Sequence, residues 1–187
     1  MCEGKVTEIE YFRGVRDHFR SLPVDIRDCR FIGLGCDPLS VVEYAIGERD
    51  RHLREARTQR DTNLAYDEVW CVVDLDDHAT LETALGTARN SGVNVVLSSP
   101  CFELWLLYHF QDYASAASTS EIHRKLGSHL PGYDKHLPPR FPYGEHMLAK
   151  SRARRADPDH DTPNRRGRNP STNIWLVVEA LGKAGRD

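Results

Sequence analysis

Three acids close an apolar run in WCVVDLDDH (70–78). Trp70, Cys71, Val72 and Val73 suit a buried strand, and Asp74, Asp76 and Asp77 follow directly. Like charges this close need water, a cation or a positive partner to compensate them. Alternation along a strand puts Asp74 and Asp76 on one side. Two carboxylates there can hold one divalent cation. Mg²⁺ fits, since it takes oxygen ligands and keeps several waters that activate or orient a substrate. Asp77 then points elsewhere or caps the next helix through its backbone N–H groups. A bare D-x-D is common, and the plain alternative is a polar strand-to-helix turn with a solvated cap.

Three more residues have types suited to the same chemistry. In MCEGKVTE, Glu3 stands where the chain turns into its first helix. A parallel strand leading into that turn would bring Glu3 to the sheet edge that holds Asp74, as a third ligand or a proton-handling group. First residues also commonly fray. In SSPCFELW (98–105), Glu103 lies near the start of an apolar helix. The helix dipole favours a carboxylate there for structural reasons alone. The functional alternatives are a fourth acid facing the site, or one that holds a basic residue. In GYDKH (132–136), Lys135 could neutralise a phosphate, or be a surface lysine. His78, His109, His123, His136 and His146 show no metal-ligand spacing, although His78 directly follows the acids. No nucleophile elbow, Walker A loop or Rossmann glycine motif is present.

The elements that must position these groups alternate. Residues 8–22 predict an amphipathic helix with Ile9, Phe12, Val15 and Phe19 on one stripe. Thr7 and Glu10 have the spacing of a capping box. Residues 25–35 predict a strand, 39–60 a helix, 67–75 a strand, 78–92 a helix closed by Gly92, and 93–99 a buried strand. Residues 100–110 predict an apolar helix with Pro100 at its start. This alternation means an α/β domain with a mostly parallel sheet and helices on both faces, whose working groups collect beyond the carboxyl ends of the strands. From there the pattern changes. Helices are expected near 119–130 and 144–155, then a mobile polar loop over 156–170, then a final helix capped by Ser171 that docks through Ile174, Trp175, Val178 and Leu181. The division is a core over 1–115 and a basic helical extension over 116–187.

Composition sets the outer bounds. The chain has 187 residues, 40% hydrophobic and 28% charged, as soluble domains do. No apolar run approaches the ~20 residues of a membrane helix, and no signal peptide precedes the charged start, so a cytoplasmic location is expected. The five cysteines form no C-x-x-C pair and read as reduced, packed thiols. The net charge of −3 conceals −9 over residues 1–123 and +6 over 124–187. An acidic site beside a basic flank suits a metal-dependent enzyme acting on a polyanion. A solvated basic tail is the simpler alternative.

With these pieces located, the chain resembles the RloB-like protein family. The matching phrases are CEGKVTEIEYF (2–12), YDEVWCVVDLDDH (66–78), SSPCFELWLLYHF (98–110), YDK (133–135) and NPSTNIWLVVEAL (169–181). They occur in family order across nearly the whole chain. The family is similar to Toprim-domain proteins, compact α/β folds with a central parallel sheet that bind Mg²⁺ through a glutamate and a later D-x-D. The resemblance puts that glutamate on Glu3 and the D-x-D on Asp74 and Asp76. Glu103 and Lys135 fall in family phrases and join the catalytic candidates. Family members usually have an apolar strand before the CEG phrase. Here only Met1 precedes Cys2, so either the start is truncated or the first strand is lost, and without that strand Glu3 is expected to lack rigid support.

Restriction–modification loci, anti-phage defence and a neighbouring RloA-type ATPase are the family's associations. The resemblance therefore implies a nuclease or nuclease-like effector using Mg²⁺ or Mn²⁺ on RNA, such as tRNA, or on DNA. Glu3, Asp74 and Asp76 would hold the metal. Lys135 and some of Arg152, Arg154, Arg155, Arg165, Arg166 and Arg168 would hold the nucleic-acid backbone. A different class also fits: a non-catalytic partner or sensor subunit for the ATPase. A missing strand would leave an open sheet edge for another chain or for a second copy of this one. Nucleic-acid binding without cleavage is a third reading.

Overall fold

The computed structural model describes residues 1–19, 37–75 and 79–184. The strand expected over 25–35, together with Asp76, Asp77 and His78, lies outside the described residues. The described chain is a mixed α/β fold. Its sheet has three strands, β1 (Trp70–Asp74), β2 (Asn94–Ser99) and β3 (Ser171–Thr172), in the order β1-β2-β3. β1 and β2 run parallel with Trp70 opposite Asn94 and Asp74 opposite Ser98. β3 is antiparallel to β2. Seven helices flank the sheet: α1 (Thr7–Phe19), α2 (Pro38–Gln59), α3 (Leu81–Ser91), α4 (Glu103–Tyr108), α5 (Thr119–His129), α6 (His146–Ala156) and α7 (Trp175–Ala184). Among the described residues, no helix is long and apolar enough to cross a membrane.

Alternation along β1 and β2 builds two cores. Cys71, Val73, Val95 and Leu97 face α2 and α3 and pack with Val41, Val42, Ala45, Leu81, Ala84, Leu85 and Ala88. Val72 and Val96 face the other way, into a larger core with Tyr11, Phe12, Phe102, Trp105, Tyr108, Ile122, Phe141 and Ile174. α2 starts where Asp37 accepts hydrogen bonds from Leu39 N and Ser40 N, with Pro38 at the first helical position. α3 ends at Gly92, whose φ of 69° is the left-handed turn that favours glycine. Cys2, Cys71 and Cys101 are buried free thiols.

Several expectations need correction. The first residues are not left unsupported. Cys2 forms a parallel bridge with Val72. Val72 N donates to Met1 O at 2.9 Å, and Glu3 N donates to Val72 O at 3.0 Å. Three residues thus extend the sheet beside β1 and hold Glu3 at its rim. The capping box is not made either. Thr7 Oγ1 donates to Lys135 O at 2.7 Å, and the Glu10 carboxylate accepts from Leu137 N at 2.9 Å and meets His136 Nδ1 at 2.7 Å. Both side chains are spent on the 132–137 loop instead of on their own helix. Pro100 does not open α4, which begins at Glu103, because the chain turns over residues 100–102 before it coils. Ser171 is a β3 residue, not a helix cap.

Residues 157–170 form no helix or strand. Expected to be mobile, they are bonded to the sheet. Asn164, at φ 60°, puts its Oδ1 2.6 Å from Val95 N and its Nδ2 2.9 Å from Val93 O, while its own N donates to Val95 O at 2.8 Å. Asn173 bonds β2 further along through its backbone N and its Oδ1, which accepts from Leu97 N at 2.7 Å, while its Nδ2 donates to Thr162 O at 2.9 Å. An asparagine amide carries a donor and an acceptor spaced like a peptide group, so the Asn164 side chain substitutes for a strand residue beside Val93 and Val95.

Candidate functional site

The site begins where β1 ends. Glu3 Oε2 accepts a hydrogen bond from Asp74 N at 3.1 Å, so the two acids share the carboxyl rim of the sheet although 71 positions separate them. Asp74 has the same strand parity as Val72 and so lies on the α1/α4 side of β1. Its neighbour there is Cys101. Burial pushes the Cys101 thiol well up, and the charges of Glu103 and Asp74 push it further. One thiol feeling both carboxylates links the strand end to the start of α4.

Glu103 is the centre of a second group of side chains. It is 3% exposed. Tyr133 Oη donates to its Oε1 at 3.1 Å, His123 Nε2 lies 3.2 Å from that oxygen, and Lys135 Nζ lies 3.9 Å away. Burial pushes the Glu103 carboxyl up, but the His123 charge, its own backbone amide and Lys135 outweigh burial and leave it below the ordinary carboxylate range. Glu8 moves the opposite way. Burial raises it, its own amide offsets part of this, and the nearby Glu103 charge raises it again against the pull of Lys135. Two neighbouring carboxyls pushed apart is the arrangement from which one can give a proton while the other stays ionised.

The supports are specific. Thr7 at the head of α1 touches Tyr133 Oη at 3.1 Å and ties down Lys135 O. Lys135 itself sits at φ 81°, a backbone state that a lysine holds only under constraint. Gly4 gives Glu8 its room: a Cβ there would stand 2.0 Å from the Glu8 carboxylate oxygens.

Glu3, Asp74, Glu103 and Lys135 therefore belong to one continuous neighbourhood at the carboxyl end of the parallel strands. Asp76 lies outside the described residues. The arginines divide. Arg152 Nη1 donates to Tyr108 O at 2.6 Å, and Arg168 bonds Ala156 O and lies 3.7 Å from Asp157. These two brace the fold. Arg154, Arg155, Arg165 and Arg166 are exposed. Arg154 approaches the Trp175 ring and Arg155 pairs with Asp112.

Sequence reasoning missed Thr7, Glu8, Cys101, His123 and Tyr133. Four of these had a signal, since Thr7 and Glu8 share the CEGKVTEIEYF phrase with Glu3, Tyr133 shares YDK with Lys135, and Cys101 shares CFELW with Glu103. His123 had none, because its partner Glu103 lies on another helix 20 positions away.

Two kinds of donor set result. Glu3 and Asp74 offer oxygen alone, which fits a hard ion such as Mg²⁺. Cys101, Glu103 and His123 offer one sulfur, one oxygen and one nitrogen, all within 4.8 Å of one another.

No curated protein matches the chain, and no solved structure does. A family model described as RloB-like protein matches residues 1–181, and with it come the Glu3 rim, the CFELW helix start and the YDK loop in one span. The chain belongs to the RloB-like family.

Proposed function

We propose that this chain is a divalent-metal-dependent, Toprim-type nuclease of bacterial anti-phage defence that cleaves phosphodiester bonds of RNA, such as tRNA, or of DNA. The single observation that carries this reading is the meeting of Glu3 and Asp74 at the carboxyl rim of a parallel sheet. Glu3 and Asp74, with Asp76, would hold Mg²⁺ or Mn²⁺. When bound there, the ion supplies Lewis-acid polarisation of a phosphoryl oxygen and an activated water.

The remaining steps fall to side chains. Lys135, 63% exposed, reaches from its braced backbone towards Glu103 and would balance charge that builds on the phosphate. Glu103 stays ionised beside it and orients the ammonium. Glu8, with its raised proton affinity, would give a proton to a leaving oxygen. Arg154, Arg155, Arg165 and Arg166 are exposed and would hold backbone phosphates, Arg155 by exchanging its Asp112 partner for one.

The test is cleavage of tRNA, unstructured RNA and duplex DNA with Mg²⁺ or Mn²⁺, with and without an RloA-type ATPase. Wild type cleaves at least one of these, and Asp74→Ala and Asp76→Ala lower cleavage to background. Activity that survives both changes removes the carboxylate-rim mechanism. An inert wild type whose melting temperature rises only with the ATPase would favour the non-catalytic partner.

A further inference from the structure

We propose that Cys101, Glu103 and His123 form a second cation site beside the carboxylate rim, and that it takes a thiolate-binding transition ion of the Zn²⁺ class. It does not depend on the nuclease reading, because it rests on different donors.

Donor chemistry comes first. Sulfur, imidazole nitrogen and one carboxylate oxygen are the ligands of borderline-soft ions, whereas Mg²⁺ avoids sulfur. The three donor atoms lie within 4.8 Å of one another. Ligands around a tetrahedral ion stand roughly 3.5 Å apart, given bonds of about 2.0–2.3 Å. His123 Nε2 and Glu103 Oε1, 3.2 Å apart, already have that spacing, and the remaining separations need to close by at most about an ångström. Cys101 and Glu103 are 3% exposed and fixed between β2 and α4. His123, on α5 with a side chain 35% exposed, is the member with freedom to swing inward.

A second observation concerns His123 itself. Its Nε2 is shielded from water and makes no aligned hydrogen bond, although Glu103 Oε1 is only 3.2 Å away. A buried ring nitrogen left this way has only the nearby Glu103 charge to offset its lost solvation. A bound ion would use that nitrogen directly. Behind the ligands, Tyr133 Oη donates to Glu103 and is itself in contact with Thr7 Oγ1. Such outer contacts fix the ligand carboxylate, as they do in metal centres generally. The exposed side of His123 gives the ion a path in. Three protein ligands leave a fourth position for water or a substrate oxygen, the open geometry of a reactive site. On binding, the Cys101 thiol gives its proton to solvent and coordinates as thiolate.

The competing arrangement is a plain ion pair in which protonated His123 and Lys135 together balance Glu103 and the thiol stays protonated. Cobalt distinguishes the two. The reduced full-length chain is titrated with Co²⁺ alone and followed by absorbance. The expected result is one tight Co²⁺ per chain, with a thiolate-to-metal charge-transfer band in the near ultraviolet and intense visible bands. One equivalent of Zn²⁺ abolishes both, and excess Mg²⁺ does not. Cys101→Ser removes the charge-transfer band, and His123→Ala weakens Co²⁺ binding at least tenfold while circular dichroism is unchanged. If Cys101→Ser does not fold, the His123→Ala affinity carries the result. Asp74→Asn keeps the cobalt spectrum even where it ends cleavage, which separates this site from the rim. No charge-transfer band in wild type, one that Cys101→Ser leaves unaltered, or a Co²⁺ affinity that His123→Ala leaves unchanged, overturns the proposal.

Discussion

The two faces of β1 and β2 are made by alternate residues of the same strands and do different work. Towards α2 and α3, Cys71, Val73, Val95 and Leu97 meet, among the described residues, a buried cluster of aliphatic side chains with the half-buried Tyr44 at its margin. Towards α1 and α4, Val72 and Val96 open an aromatic core that passes, at the strand ends, into Asp74, Ser98, Cys101 and Glu103. The first face can be built from area alone, at about 25 cal/mol per Å² of apolar surface. The second spends part of its packing on ionisable groups that must be bonded or compensated. Substitutions on the two faces should therefore separate stability from activity.

The largest effect on stability is expected on the aliphatic face. Leu85 is 2% exposed and fully enclosed between α3 and the strands. Leu85→Ala should cost about 2–5 kcal/mol, read as a lower urea midpoint, while cleavage per folded molecule holds at low temperature. Asp74→Asn should do the reverse. A Leu85→Ala variant that stays stable but loses activity would mean that the division between faces is wrong.

Close behind comes a pH effect on the aromatic side. His109 is 4% exposed, and burial pulls it down from its ordinary 6.5 to about 4. Its Nδ1 lies 3.0 Å from Trp105 O, which can only accept, so Nδ1 carries the proton and Nε2 faces Tyr11 Oη at 3.3 Å. The unfolded chain binds a proton at this residue below pH 6.5, whereas the folded chain resists until about pH 4. Stability is then fully present above 6.5 and is lost as pH falls towards 4, by roughly 3 kcal/mol in all. His109→Gln should flatten that part of the curve of unfolding free energy against pH. An unchanged slope between pH 6.5 and 4 would place the titration elsewhere.

These same elements show how far the sequence could be read. Strand β1, helix α2 from Pro38, and Gly92 after α3 were legible because periodicity, a proline and a glycine act locally. The Glu3–Asp74 meeting was legible only through the order of elements and the family phrases. Thr7 and Glu10 misled, since their spacing suits a capping box and only the tertiary fold assigns them to Lys135, His136 and Leu137. Asn164 carried no local sign of its task. Its amide serves β2 from 69 positions away.

That residue supplies a smaller test. Asn164→Ala removes both side-chain bonds to β2, leaving Val95 N and Val93 O without those partners. It also puts alanine at φ 60°, where asparagine is better tolerated. The expected cost is about 1–3 kcal/mol, with faster amide exchange at Val95. No change in exchange would mean that the 157–170 segment does not brace the strand.

The smallest stability effect, and the sharpest contrast, belongs to the basic surface. Arg155 and Asp112 form a pair in which each side chain is 66% exposed. Breaking an exposed pair costs under about 1 kcal/mol, since solvent and salt already screen it. Arg155→Ala should therefore leave the unfolding curve almost unmoved. If Arg155 holds a phosphate, the same change lowers nucleic-acid affinity similarly for every sequence and reduces the salt slope by about 1. Measured affinities with the slope of wild type would take Arg155 off the binding surface. The carboxylate rim would keep its chemistry, but its substrate would have to approach along Arg154, Arg165 and Arg166 instead.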